Sequence, residues 1–173
     1  MRLYDTKEER KREVTPSSAG TIDIYCCGPT VYRFAHVGNM RTFLLGDLVR
    51  RTLRAEGLRY RYIQNITDVG HLNDDVNIEV AGDSPEDKIL AQAKLEQKDP
   101  FEIARFYEEA FHRDLRALNI MPADAYPKAS ESISLITDLI AQLIYIGAAY
   151  QGNDGSLYFA VRSFKDYGAI SNN

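Results

Sequence analysis

The chain has 173 residues, 45% of them hydrophobic and 27% charged, with 21 basic against 25 acidic side chains and a formal net charge of −4. That fits one soluble globular domain, or one domain carrying an insertion, and argues against a protein that coats nucleic acid over its whole surface. No apolar run approaches the roughly 20 residues of a membrane span. The opening MRLYDTKEERKREV also lacks the apolar core of a secretory leader, so a cytoplasmic location is expected.

In chain order, the first clear element is TIDIYCC (21–27), a β-branched and aromatic run closed by Gly28-Pro29, which predicts a strand. Its two adjacent cysteines, Cys26 and Cys27, offer no disulfide framework, in keeping with a reducing compartment. From about Val37 the period becomes helical: Met40, Phe43, Leu44, Leu45, Leu48, Val49 and Leu53 form the expected apolar face, and Gly57 the stop. RYRYIQNIT (59–67) then predicts a second strand. Strand, five-turn helix and strand within about 45 residues make a βαβ unit with parallel strands and a right-handed crossover. Six arginines (Arg41, Arg50, Arg51, Arg54, Arg59, Arg61) and two acids, Asp47 and Glu56, lie between 41 and 61. The run reads as solvated surface; the arginines of the first helix are read as a solubilising face, with contacts to RNA phosphates as the other possibility.

Residues 69–83 read as a polar loop, where Asp74 and Asp75 suggest a solvated turn more than a Mg²⁺ site. Ser84-Pro85-Glu86-Asp87 resembles a capping box opening a helix to about Lys98. Asp99-Pro100-Phe101-Glu102 repeats the device for a longer helix. Its expected apolar face is Phe101, Ala104, Phe106, Ala110, Phe111, Leu115 and Leu118, with Asn119 at its end. Residues 129–147 predict a third helix closed by Gly147, and 148–161 a β-hairpin around Asn153-Asp154-Gly155.

The chemistry points to the first loop. In a parallel βαβ unit that loop lies at the carboxyl edge of the sheet, where open α/β folds bind ligands, and it leads into a helix N-terminus that favours phosphate. It contains neither a dinucleotide fingerprint nor a Walker loop. It does contain His36-Val37-Gly38-Asn39, and His36 and Asn39 share one side of the first helical turn. These donors suit phosphate oxygens that gain charge in a transition state, whereas the plain structural reading has His36 capping the helix or packing in the turn. For the cysteines, the plain reading is a small buried hydrophobe. His71 and His112 are not at zinc spacing with Cys27.

CGPTVYRFAHVGNMRTFLLGDLVRRTL (27–53) followed by YIQNITDVG (62–70) resembles the start of the cysteinyl-tRNA synthetases, a class I synthetase family whose signature C-G-[PI]-T-V-Y-x-x-x-H-[IV]-G-[HN] this stretch matches. MRLYDT resembles the family's N-terminal strand. FYEEAFHRDLRALNI, PKASESI and GAAYQGNDGSLYFAVRSFKDYG resemble its insertion, so the likeness covers nearly the whole chain. It implies an α/β fold. Residues 1–68 would be the first half of a Rossmann-like nucleotide-binding domain, and 69–173 a mainly helical insertion with a small hairpin.

The resemblance further implies a cysteine–tRNA ligase working through cysteinyl-adenylate in the cytoplasm as a monomer, with ATP, Mg²⁺, L-cysteine and tRNA(Cys) as substrates and partners. Pro29, Thr30, Tyr32, His36, Gly38 and Asn39 would hold ATP, with His36 and Asn39 as catalytic donors. Gly28, Thr67 and Asp68 would border the amino acid, and Cys27 would be one ligand of a Zn²⁺ that binds the substrate sulfur. Asn39 stands where the commonest form of the signature has His. The other three zinc ligands, the second βαβ half, the KMSKS loop and the anticodon-binding helices would lie beyond residue 173, so a fragment without activity of its own is expected. The alternatives are a related ligase joining cysteine to an amino sugar and a truncated, non-catalytic binding paralogue.

Overall fold

The computed structural model describes residues 1–17, 19–70 and 88–170. These divide into two compact units, one of Pro16–Glu131 and one of Met1–Thr15 with Ser132–Asn173. The class is α/β, and among the described residues no helix is long and apolar enough to cross a membrane.

The first unit is built on the expected βαβ. In chain order after the N-terminal hairpin (β1 Arg2–Asp5, β2 Arg10–Glu13), strand β3 (Ile22–Cys26) leads through helix α1 (Val37–Ala55) to β4 (Tyr60–Gln64). β3 and β4 pair in parallel from Ile22↔Tyr60 to Cys26↔Gln64. Pleating puts Ile22, Ile24, Tyr62 and Gln64 on one face and Asp23, Tyr25, Arg61 and Ile63 on the other. Residues 124–129 cover the far edge of β4: the Asp124 N–H donates to the Tyr62 carbonyl (2.9 Å), Gln64 N–H to Ala125 (3.1 Å) and Ile66 N–H to Pro127 (2.9 Å). α1 ends as the sequence requires. Gly57 adopts φ +71°, and Leu58 N–H reaches back to the Leu53 carbonyl at 2.9 Å, closing a Schellman turn.

The stripe that α1 buries is not the aliphatic one. It consists of Met40, Phe43, Asp47, Arg50 and Leu53, while Leu44, Leu45 and Leu48 are exposed. The cause is a buried polar clamp. Asp47 Oδ1 accepts from Arg50 (3.2 Å) and from the Met121 N–H (2.9 Å), and its Oδ2 accepts from Arg51 Nε (2.6 Å). Arg50 donates to the carbonyls of Met121 (2.6 Å) and Pro122 (2.7 Å) and lies 4.0 Å from the centre of the Tyr62 ring. Arg51 also donates to the Asn119 carbonyl (2.6 Å), so two of the arginines assigned to a solubilising face bind the segment leading to 124–129. Gly46 makes room for this packing, because a Cβ there would stand 2.5 Å from the Tyr62 hydroxyl.

Two helices complete the unit, α2 (Lys88–Glu96) and α3 (Pro100–Ala117). Asp99 caps α3 as its sequence requires, accepting from Phe101 N–H (2.9 Å) and Glu102 N–H (3.3 Å), with Pro100 in the first turn. Its buried face is Ile103, Ala104, Tyr107, Ala110, Phe111 and Leu115, whereas Phe101, Phe106 and Leu118 face outward. Ile103, Ala104, Tyr107, Phe111 and Leu115 form one core with Val31, Met40, Phe43, Ile66, Ile89, Ala93 and Ile120. The expected capping box at 84–87, His71, Asp74 and Asp75 lie outside the described residues.

In the second unit β1 and β2 form an antiparallel hairpin. β2, with the sequence RKRE and wholly exposed, has no apolar signal and is not among the expected elements. Helix α4 (Ile133–Tyr145) ends at Gly147 (φ +74°) and is followed by the hairpin of β5 (Ala149–Gln151) and β6 (Leu157–Phe159). Asp154 Oδ1 accepts from Ser156 N–H and Gly155 takes φ +82° in its turn.

Candidate functional site

After β3 the chain does not swing away but runs along the end of β4. Gln64 Nε2 donates to the Cys27 carbonyl (3.4 Å), Gly28 N–H to Asn65 Oδ1 (2.8 Å), Thr67 N–H to the Pro29 carbonyl (3.0 Å) and Val31 N–H to the Thr67 carbonyl (3.1 Å). The approach at Gly28 is so close that a Cβ there would sit 1.6 Å from the Asn65 carbonyl oxygen, so only glycine fits. Val31 anchors the turn in the core. Cys27, Gly28, Pro29, Thr30 and Thr67 are thereby gathered at the carboxyl edge of the two parallel strands, the edge where such sheets bind ligands.

The turn ends at a reciprocal cap on α1. His36 has extended backbone and its Nδ1 accepts from Gly38 N–H (3.0 Å) and Asn39 N–H (3.3 Å), while Asn39 Oδ1 accepts from His36 N–H (3.1 Å). The capping reading of His36 is correct, and it bears on the chemistry. An Nδ1 that accepts two amide protons carries none, so the neutral ring holds its proton on Nε2, on an exposed imidazole. Gly38 is what lets the ring fold over the helix end, since a Cβ there would come within 2.9 Å of Cε1.

Beside this cap lies a cavity of about 150 Å³ lined by residues 29–35, Asn39, Lys88, Tyr107 and Phe111. Among the described residues two cations and no carboxylate line it, which suits an anion. Arg33 stacks 5.1 Å and Lys88 5.7 Å from the centre of the Tyr32 ring. Phe34 meets Tyr107 edge-on at 5.1 Å. Tyr107 donates to Glu96 at 2.9 Å; burial, then that carboxylate, push the phenol above its ordinary value. Hydrogen bonds from Lys98, Gln92 and Tyr107 hold Glu96 down to about 2. Sequence reasoning missed Arg33, Lys88, Tyr107 and Phe111: Arg33 falls in the variable stretch of the turn, and the others come from distant helices that no local pattern links to it.

The remaining candidates are less convergent. Cys27 is exposed, while Cys26 is half-buried with its Sγ 3.5 Å from the Cys27 carbonyl. Among the described residues no three His, Cys, Asp or Glu side chains gather around a common point. Asp68 is buried, and both its oxygens accept from Ser130, from the N–H at 2.9 Å and the hydroxyl at 2.5 Å. It fixes the 127–130 segment. His112 packs edge-on to Tyr126 at 4.7 Å, and burial lowers its pKa, helped by Arg116 and Lys128 and opposed by Glu108.

Known proteins place this arrangement in context. The family described as tRNA synthetases class I (C) catalytic domain matches residues 13–173. A cysteine–tRNA ligase of Deinococcus radiodurans is 43% identical over 169 residues, covering 98% of this chain and 32% of that protein. Cysteine–tRNA ligases of Chlorobium chlorochromatii and of Thermus thermophilus are each 41% identical, over 99% and 98% of this chain and 34% of either protein. The chain thus spans about a third of the length of the curated relatives it matches.

Proposed function

Because the chain belongs to the family of class I (C) tRNA synthetase catalytic domains, we propose that it forms the first part of an ATP-dependent ligase that activates cysteine and transfers it to the 3′ end of tRNA(Cys). The observation that carries this reading is the turn between β3 and α1. It joins an exposed thiol at Cys27, an imidazole at His36 whose Nδ1 is taken up by the helix cap so that Nε2 faces outward as the donor, and a cavity bearing Arg33 and Lys88. In the reaction the cysteine carboxylate attacks the α-phosphorus of ATP, pyrophosphate leaves, and a terminal ribose hydroxyl of the tRNA then takes the acyl group from the adenylate. His36 Nε2–H and the Asn39 amide donate to phosphate oxygens as charge grows on them; Pro29, Thr30 and Tyr32 seat the nucleotide, and Gly38 allows its close approach. Gly28 and Thr67 border the cysteine. Asp68 acts from behind them, holding the segment after residue 126.

Cys27 would serve as one zinc ligand; a zinc seat for a thiolate would discriminate against serine, which pocket size alone does poorly. ATP is used as its Mg²⁺ complex. The protein works in the cytoplasm as a monomer, and the inserted region begins after residue 68. Activity belongs to a protein of the relatives' full length; residues 1–173 alone are expected to give no ATP–pyrophosphate exchange. With the full-length protein carrying this sequence, exchange that depends on cysteine and not on serine, followed by charging of tRNA(Cys), is the predicted result. Exchange driven by another amino acid, or transfer to an amino sugar and not to tRNA, would contradict it.

A further inference from the structure

We infer that Asn65 is the positioning residue of the amino-acid pocket, a role that rests on the function proposed above. Its side chain makes three bonds that join all the pieces of that pocket. Oδ1 accepts from Gly28 N–H at 2.8 Å and from the Tyr25 hydroxyl at 3.0 Å, and Nδ2 donates to Thr67 Oγ1 at 3.2 Å. The orientation of the amide is fixed, because Gly28 N–H can only donate and so demands the oxygen.

Two consequences follow. The first concerns the backbone that carries Cys27. Residue 28 lies where the turn approaches β4 too closely for any side chain, and among the described residues no backbone carbonyl accepts from its N–H. Asn65 Oδ1 does so, filling the gap in the ladder between the bonds at Cys27 and Pro29. The backbone that carries the Cys27 thiol is therefore held in place through Asn65. The second concerns Thr67. Its oxygen already accepts the Nδ2 proton, so the hydroxyl proton is left to point away from Asn65 as a donor. A donor at that position suits a carboxylate or phosphate oxygen of the bound amino acid or its adenylate.

Asn65 bonds Gly28, Tyr25 and Thr67 and none of the residues assigned to ATP, so its substitution is expected to shift cysteine binding and leave ATP binding alone. Two variants of the full-length protein separate the consequences. Asn65→Ala removes all three bonds, whereas Asn65→Asp keeps an acceptor for Gly28 and Tyr25 and loses the donor to Thr67, turning that hydroxyl round. Two readouts apply: hydrogen–deuterium exchange of the peptide spanning Gly28, and KM for cysteine and for ATP in pyrophosphate exchange.

For Asn65→Ala the Gly28 amide should exchange at least about tenfold faster, and KM for cysteine should rise about tenfold with KM for ATP within about twofold, the loss of one or two hydrogen bonds. For Asn65→Asp the amide should keep its protection while KM for cysteine rises about fivefold. Unchanged protection of Gly28 in Asn65→Ala overturns the inference, as does an equal rise in both KM values. Should Asn65→Ala fail to fold, Asn65→Asp with a wild-type KM for cysteine overturns it. A wild-type protein without cysteine-dependent exchange refutes the proposed function instead, and the protection of Gly28 in the two variants then decides the positioning role.

Discussion

Helices α1 and α4 differ in a way that their sequences conceal. α4 is the more apolar, yet none of its side chains is buried, and Leu135, Leu139 and Tyr145 are all more than half exposed. α1 leaves Leu44, Leu45 and Leu48 exposed and takes a carboxylate and a guanidinium inside, at 2% exposure each. Apolar content makes a helix; what lies opposite decides which face it buries. In the 16–131 unit the opposite surface carries carbonyls at 121 and 122 and a tyrosine ring, and only charged donors and acceptors of the right reach satisfy it.

The largest expected break in this contrast is at the clamp. Asp47→Ala strands Arg50 as an uncompensated buried charge, and a loss of about 3–5 kcal/mol is expected in denaturant unfolding of the protein. Replacing both residues with apolar partners of similar size should be far milder, and a mild Asp47→Ala would show that the pair is ornamental. Next comes the core of α3. Ile103 is wholly buried, and Ile103→Ala is expected to cost about 2–4 kcal/mol in the same measurement. In α4, Leu135→Ala should change the stability of this chain by no more than about 0.5 kcal/mol. A large effect there would mean that α4 has a partner.

The smallest effect is one of pH. His112 lies in the clamp's unit and its folded pKa is lowered, chiefly by burial. A depressed histidine binds fewer protons folded than unfolded, so its contribution is intact above the unfolded value of 6.5 and is lost as pH falls from there towards the folded pKa. Thermal melts at pH 7.5 and 5.5 should therefore diverge less in His112→Gln than in wild type. An equal divergence would remove His112 from the account.

The fold was legible where one strong local rule acts alone. The β-branched run 21–27, the stop at Gly57, the cap at Asp99 and the turn at Gly155 all appear where their chemistry requires. Legibility failed where the deciding partner is remote. Arg50 reads as solvent-facing until residues 121–122, over 70 positions away, come to lie against it. β2 has no apolar pattern because it pairs through backbone on an exposed hairpin. At the site, the stretch from Cys27 to Asn39 is legible because its close turn and its helix cap are local. The role of Asn65 depends on which strand the turn chooses to follow, and Lys88 and Tyr107 enter the cavity from helices the motif does not contain.

The central claim is that the cap on α1 leaves His36 Nε2–H as a donor to a nucleotide's phosphates. His36→Asn in the full-length protein tests it most directly, because asparagine is a good N-cap whose shorter side chain keeps the capping acceptor and takes away the imidazole Nε2–H. The account predicts unfolding stability within about 0.5 kcal/mol of wild type and cysteine-dependent pyrophosphate exchange slowed about a hundredfold. Exchange at the wild-type rate in a folded His36→Asn protein would contradict it.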